Sequence, residues 1–121
     1  MKTVKAVLSE IVKAGDESHA IDSRTYDIGE YSPLADYAVL MTVKTHVHCK
    51  AMMSALEQAF SELKLSDAPD FFPHPHVSGV PESGWVILDF NSILVHIVQE
   101  EFRELYHLDE VYTKQGVIYY N

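Results

Sequence analysis

The segment from Asp36 to Thr42, which reads DYAVLMT, limits the possible folds more than any other part of the chain. Its apolar residues are nearly continuous and do not alternate with polar ones, so it predicts a β-strand that is covered on both faces. Such a strand needs a packing layer on each side of its sheet, and helices supply these layers when both elements are present. We therefore expect an α/β fold, with a mixed sheet flanked by helices.

The segments that would cover this strand have the apolar periodicity of helices. Apolar residues at helical spacing predict a first helix over residues 3–14, with Gly15 as its stop signal, and a second helix over residues 47–63. A short last helix is predicted over residues 102–106, because the acidic pair Glu100-Glu101 before it suits a positive helix N-terminus.

The other strands are weaker in sequence. They are predicted at residues 24–28, 76–80, 85–90 and 93–98. The last two are separated only by Asn91-Ser92, which indicates a β-hairpin, whereas three prolines predict a loop over residues 66–75. The apolar tail, residues 113–121, is expected to add a strand or to cover an exposed patch. Together these elements predict one domain, residues 1–121, with a sheet of about five strands.

The charge balance limits the classes of partner. The chain has 18 Asp and Glu against 9 Lys and Arg, which gives a formal charge of −9. Nucleic-acid phosphates repel such a domain, so we expect a protein partner and no direct sequence-specific nucleic-acid binding. Acidity that serves only solubility is the alternative explanation.

The sequence also predicts a compartment. Cys49 is the single cysteine, so an intramolecular disulfide is excluded and a reducing compartment is expected. No apolar run approaches the roughly 18 residues of a membrane span, and the first residues lack the pattern of a secretory signal. We expect a cytoplasmic protein without a membrane partner.

A set of motifs from Trp85 onward, in the stretch WVILDFNSILVHIVQEEFRELYHL, resembles a known family. The matching residues are Trp85, Asp89, Val95-His96, Glu100-Glu101, Arg103, Tyr106 and Leu108. Upstream, Ala35-Asp36-Tyr37, Thr42, His48 and Gly79 fit the same pattern. In order and spacing these motifs resemble the RsfS/Iojap family of ribosomal silencing factors. The sequence departs from the family at Val43 and at the hairpin turn Asn91-Ser92, which affects local loop geometry.

The resemblance implies a function. Members of the family resemble the nucleotidyltransferase fold but lack its catalytic residues, so no enzyme activity and no cofactor are expected. They bind the large-subunit ribosomal protein usually numbered fourteen, at the intersubunit face, and block joining of the small subunit when nutrients are scarce. The resemblance also implies a homodimer in isolation.

Site residues follow from the resemblance and from residue type. The expected partner-binding residues are Trp85, Phe90, Asn91 and Arg103, since Trp and Arg are favoured at interface hot spots. Packing of Trp85 in the core is the alternative. The expected structural polar residues are Asp36, Asp89, His96 and Tyr106, because buried polar groups need partners.

Two other functional classes stay open. A degenerate nucleotidyltransferase would bind a nucleotide, but its Asp-x-Asp metal pair is replaced here by Asp89-Phe90-Asn91. A metal-dependent hydrolase would use the pairs His46/His48 or His74/His76, but no cysteine or carboxylate cluster accompanies either pair to complete a site. We therefore expect no metal, and Cys49 is expected to be a small core residue.

Overall fold

The chain folds into a six-stranded mixed sheet with helices on both faces, as a computed structural model shows. The structure describes residues 3–30, 32–33, 35–65 and 68–113, and the backbone of residues 118–120. The strands are β1 Ile21–Asp27, β2 Tyr37–Val43, β3 Phe71–Ser78, β4 Trp85–Asn91, β5 Ile93–Gln99 and β6 Ile118–Tyr120. The helices are α1 Val4–Glu17, α2 His46–Glu62, α3 Glu100–Leu105 and α4 Leu108–Thr113.

The largely apolar strand β2 lies inside the sheet, as its sequence predicted. The strand order is β3-β4-β5-β2-β1-β6, and β2 pairs in parallel with β5 while every other pair is antiparallel. All seven residues of β2 are buried. The mixed α/β sheet is therefore confirmed, with β6 as a strand beyond the expected five.

The two faces of the sheet carry separate cores. On one face, α1 and α2 cover alternate residues of the central strands, such as Val39, Leu88 and Val95. On the other face, Leu108 of α4 packs on a smaller cluster that includes Tyr26 and Leu40. Side chains in a strand alternate between faces, so both helical layers are needed to bury β2.

Helix α1 begins where expected but continues past its predicted end. Thr3 caps it, because its hydroxyl accepts the backbone N–H of Ala6 at 3.1 Å. Gly15 does not end the helix; it is buried within it, and a Cβ there would lie 2.5 Å from the terminal methyl of Met41. The prediction of Gly15 as a stop was therefore wrong, because the glycine allows close approach of the helix to β2.

Strand β3 occupies a segment that its prolines predicted to be a loop. It runs from Phe71 to Ser78 and includes both Pro73 and Pro75. Proline lacks the N–H that a central strand must donate, but β3 lies at the edge of the sheet, where proline is tolerated. Its pairing with β4 is irregular between Phe71 and His76, the part of the strand that contains the prolines.

The C-terminal third agrees with its prediction in part. The hairpin of β4 and β5 is confirmed, and Asn91 adopts a φ of 88° at its turn. The predicted last helix is two short helices, α3 and α4, which are separated by a turn where His107 has a φ of 50°. The tail does add a strand: β6 pairs with the outer edge of β1.

Candidate functional site

An exposed aromatic surface forms where β4 begins and α3 ends. Trp85 is half-buried against the smaller core cluster, and Tyr106 is 53% exposed. Their ring centroids lie 5.7 Å apart, and the ring of Tyr106 also stacks on Phe102 at 6.1 Å. Leu105, which is 64% exposed, extends the apolar area. We call these four residues the aromatic surface.

The backbone before Trp85 holds this surface in place. Gly84 has a φ of 84°, which favours glycine, and its Cα lies directly against the Phe102 ring. The Gly84 carbonyl accepts the backbone N–H of Gln99 at 2.8 Å, which ties the start of β4 to the end of β5. A side chain at position 84 would displace Phe102.

Acidic side chains lie on the helix that carries part of the aromatic surface. Glu100, Glu101 and Glu104 are exposed on α3, the helix that carries Phe102. They line a shallow groove of about 480 Å³ together with Lys44. Helix α3 thus carries both aromatic rings and a group of carboxylates, and its negative charge suits a basic protein partner.

His96 lies beneath the aromatic surface and is only 6% exposed. Its Nδ1 accepts the indole N–H of Trp85 at 3.1 Å, and its Nε2 lies 2.7 Å from the hydroxyl oxygen of Tyr112 on α4. Desolvation by burial lowers the pKa of His96 to about 4. The structure therefore places this residue in a polar contact inside the fold.

Arg103 is not on the surface, although the sequence suggested a partner contact. It is 7% exposed, and its guanidinium makes two hydrogen bonds of 2.9 Å to the Asp109 carboxylate. It also donates to the hydroxyl of Thr42 at 2.7 Å and to the carbonyl of Asp22 at 2.6 Å. The partner-binding role of Arg103 stays a prediction, and the donors of its buried side chain join α3, α4 and two strands.

Phe90 is also buried, and its expected partner-binding role stays a prediction. Its side chain is fully buried and packs on Phe60 of α2 with ring centroids 4.7 Å apart, on the sheet face opposite Trp85. Asn91 is half-buried at the hairpin turn, six positions along β4 from Trp85. Since a strand rises about 3.3 Å per residue, the two ends of β4 are roughly 20 Å apart. Trp85 alone of the four expected partner residues belongs to the aromatic surface.

The other expected structural polar residues make different kinds of contact. The Asp89 carboxylate accepts the backbone N–H of Asn91 at 2.9 Å and so stabilises the hairpin turn. Asp36 is exposed, and its backbone makes the contacts, donating to the Ser92 carbonyl at 2.8 Å. Tyr106 was expected to make a polar contact; within the described residues, the contacts found for it are aromatic.

The histidine pairs and Cys49 lie apart from this surface. His48 donates to the Ser18 carbonyl at 2.7 Å, and His76 stacks on Phe72 with ring centroids 4.0 Å apart. Among residues 3–30, 32–33, 35–65 and 68–113, no group of three or more His, Cys, Asp or Glu could hold a metal ion. Cys49 is buried, as predicted, and desolvation followed by the charge of Glu82 raises the pKa of its thiol to about 11.

Sequence reasoning missed two functional neighbours on α4. Tyr112 contacts His96, and Asp109 accepts the hydroxyl of Tyr26 at 2.6 Å as well as the guanidinium of Arg103. Residues three apart lie on one face of a helix, so the spacing of Asp109 and Tyr112 was the available signal. The short length of α4 hid that periodicity.

The fold and the surface define a class: a small mixed α/β protein that presents an aromatic surface and exposed carboxylates on α3. Residues 1–120 match the family model described as ribosomal silencing factor during starvation, RsfS. The chain therefore belongs to the RsfS family, whose members are ribosome-associated regulators of translation. In the part of the chain that the structure describes, no helix is long and apolar enough to cross a membrane.

Relatives of known name support this assignment. The chain is 31% identical to the ribosomal silencing factor RsfS of Treponema pallidum over 86% of this chain and 87% of that protein. It is 24% identical to the RsfS of Zymomonas mobilis, over 88% of this chain and 74% of that protein. A mouse relative, mitochondrial assembly of ribosomal large subunit protein 1, is 28% identical over 64% of this chain and 32% of its own length.

Solved structures share the fold. A protein of Chromobacterium violaceum superposes with a TM-score of 0.72 at 17% identity, over 93% of this chain and 88% of that one. A protein of Bacillus halodurans gives a TM-score of 0.73 at 18% identity, over 88% of this chain and 93% of that one. The expected likeness to nucleotidyltransferases stays a prediction.

Proposed function

We propose that this silencing factor binds the intersubunit-face protein of the large ribosomal subunit, the one numbered fourteen, and thereby blocks association with the small subunit. The observation that carries the proposal is the aromatic surface, in which Trp85 and Tyr106 present partly exposed rings in contact with each other. Aromatic anchors of this kind supply most of the binding free energy in protein interfaces. The name of the mouse relative also refers to the large subunit.

Electrostatics support a protein target on the ribosome. The chain has a formal charge of −9, and Glu100, Glu101 and Glu104 are exposed on α3, the helix that carries Phe102 and Leu105. A negative surface approaches a basic ribosomal protein favourably but is repelled by ribosomal RNA. Binding should therefore weaken as salt rises, mainly through a slower association rate.

Co-sedimentation tests the proposal. We expect the protein to pellet with purified large subunits and not with small subunits or assembled ribosomes. It should also bind the isolated ribosomal protein after RNase treatment. Equal pelleting with both subunits, or binding to naked ribosomal RNA and not to the isolated protein, would contradict the proposal.

Replacing Tyr106 with Ala locates the binding surface. Tyr106 is 53% exposed, so its loss should cost no more than about 1 kcal/mol of unfolding free energy, from aromatic contacts. A hot-spot residue instead contributes about 2 kcal/mol to binding, near thirtyfold in affinity. Val111→Ala is the matched control, since Val111 is 51% exposed on α4. Equal affinity of the two variants would place the interface elsewhere.

A further inference from the structure

The contacts of His96 fix its protonation. The indole nitrogen of Trp85 can only donate, so the Nδ1 that it contacts at 3.1 Å must be the unprotonated ring nitrogen. Because burial keeps this ring neutral near pH 7, its single proton lies on Nε2. That N–H points to the hydroxyl of Tyr112, which accepts it at 2.7 Å. The indole of Trp85 therefore defines the tautomer, and the Tyr112 hydroxyl accepts the remaining N–H and holds the ring in place.

Tyr112 is itself held by the rest of α4. Its ring stacks on Tyr26 with centroids 5.4 Å apart, and the Tyr26 hydroxyl donates to Asp109 at 2.6 Å. The Asp109 carboxylate in turn accepts two of the hydrogen bonds that Arg103 donates. The same α4 face thus carries an anchor, Asp109, and the group that contacts His96, so docking of this helix fixes the hydroxyl of Tyr112.

We propose that α4 sets the orientation of the Trp85 indole through Tyr112 and His96, which makes these two positioning residues for partner binding. This inference rests on the proposed function, because it assumes that Trp85 contacts the ribosomal partner. It also limits the chemistry of that contact. The indole N–H is already donated to His96, so the partner meets the ring face and its carbon edge. An aliphatic or cationic side chain fits there, and a hydrogen-bond acceptor for the indole does not.

Nuclear magnetic resonance of the free, full-length protein tests the contact without a partner. Trp85 is the single tryptophan, so a ¹⁵N-labelled sample gives one indole N–H signal. We expect scalar coupling across the hydrogen bond between the indole nitrogen and Nδ1 of His96, with the proton of His96 on Nε2. A proton on Nδ1 would overturn the inference, since that nitrogen would then be unable to accept.

Paired substitutions of His96 test its effect on binding. In His96→Asn, the side-chain oxygen takes the place of Nδ1 and still accepts the indole N–H; in His96→Gln, the amide reaches toward Tyr112 instead. We expect His96→Asn to bind the isolated ribosomal protein within about threefold of wild type, and His96→Gln to lose about tenfold. Equal affinities of the two variants would overturn the inference.

Tyr112→Phe keeps the aromatic ring and removes only the hydroxyl, so the inference is tested even if a His96 variant fails to fold. It should shift the indole N–H signal and weaken binding about fivefold. Thr113→Ala is the control on the same helix, because Thr113 is exposed and donates only to the Asp109 carbonyl among the described contacts. Loss of affinity without a shift of the indole signal would contradict the proposed route. If the wild type fails to bind, the proposed function fails while the spectroscopic result stands.

Discussion

Replacing Arg103 with Ala should lower the free energy of unfolding of the protein and should not remove a partner contact. The guanidinium is 7% exposed and makes two hydrogen bonds to Asp109, one to Thr42 and one to the Asp22 carbonyl. Breaking a fully buried ion pair costs about 3–5 kcal/mol. The Asp109 side chain is 31% exposed, so water screens part of the loss, and we expect about 3 kcal/mol.

Denaturation by urea and by heat gives the magnitude. For a chain of this size, about 3 kcal/mol corresponds to a lowering of the melting temperature by roughly 12 °C. Arg103→Lys should lose about half as much, because an ammonium group cannot make the bidentate contact. A double-mutant cycle with Asp109→Asn should give a coupling free energy of about 2 kcal/mol.

If Arg103 contacts a partner, the opposite results are expected. If the side chain reached a partner, Arg103→Ala would melt within about 2 °C of wild type and would lose binding to the large subunit. That pair of results would refute the structural reasoning. Binding should be measured well below the melting temperature of the variant, so that unfolding does not lower the apparent affinity.

Other predictions concern a glycine, a thiol and a carboxylate. Gly84→Ala should cost about 1–2 kcal/mol of stability from its positive φ alone and should weaken ribosome binding by displacing Phe102; Gly29→Ala, in an exposed turn, is the control for melting and binding. Cys49, with a pKa near 11, should resist alkylation at pH 7.5 until urea unfolds the chain, and rapid labelling in native buffer would contradict its burial. Burial acts to raise the pKa of Asp109, but hydrogen bonds from its neighbours outweigh it and hold the pKa below the usual range. Its stabilising contribution is therefore present above about pH 4 and is lost as the pH falls through the folded pKa, so Asp109→Asn should flatten the acid limb of a stability curve.

The sequence predicted the features that depend on local pattern. The apolar run of β2, the hairpin of β4 and β5 and the period of α2 each depend on residues close together in the chain, where hydrophobicity and turn chemistry suffice. The family also followed from sequence, because its motifs keep their order and spacing. The predictions for Gly15 and for the prolines of β3 were wrong. The close approach of Met41 to Gly15 and the position of β3 at the sheet edge depend on tertiary structure, which local sequence does not show.

The candidate site was predictable only in part. Trp85 and Phe90 are both apolar residues on β4, and alternation placed them on opposite faces without showing which face is open. Burial of Arg103 depends on Asp109, which comes from a separate helix that the sequence did not resolve. The contact of His96 with Tyr112 joins two elements in the same way. Neither the burial of Arg103 nor the contact of His96 can be inferred without knowing how α4 packs against the sheet.

The parallel pairing of β2 with β5 has a consequence for how the chain reaches its native state. Tyr37 pairs with Ile93, which is 56 residues later in the chain, so no short hairpin can assemble the centre of the sheet. The entropy of closing that long loop is lost before β2 finds its second neighbour. During synthesis, β2 emerges from the ribosome well before β5, so the edge of β2 that pairs with β5 has no partner until then. Folding of this ribosomal regulator is therefore expected to be completed only after β5 has been made, with the N-terminal helices shielding one face of β2 in the interval.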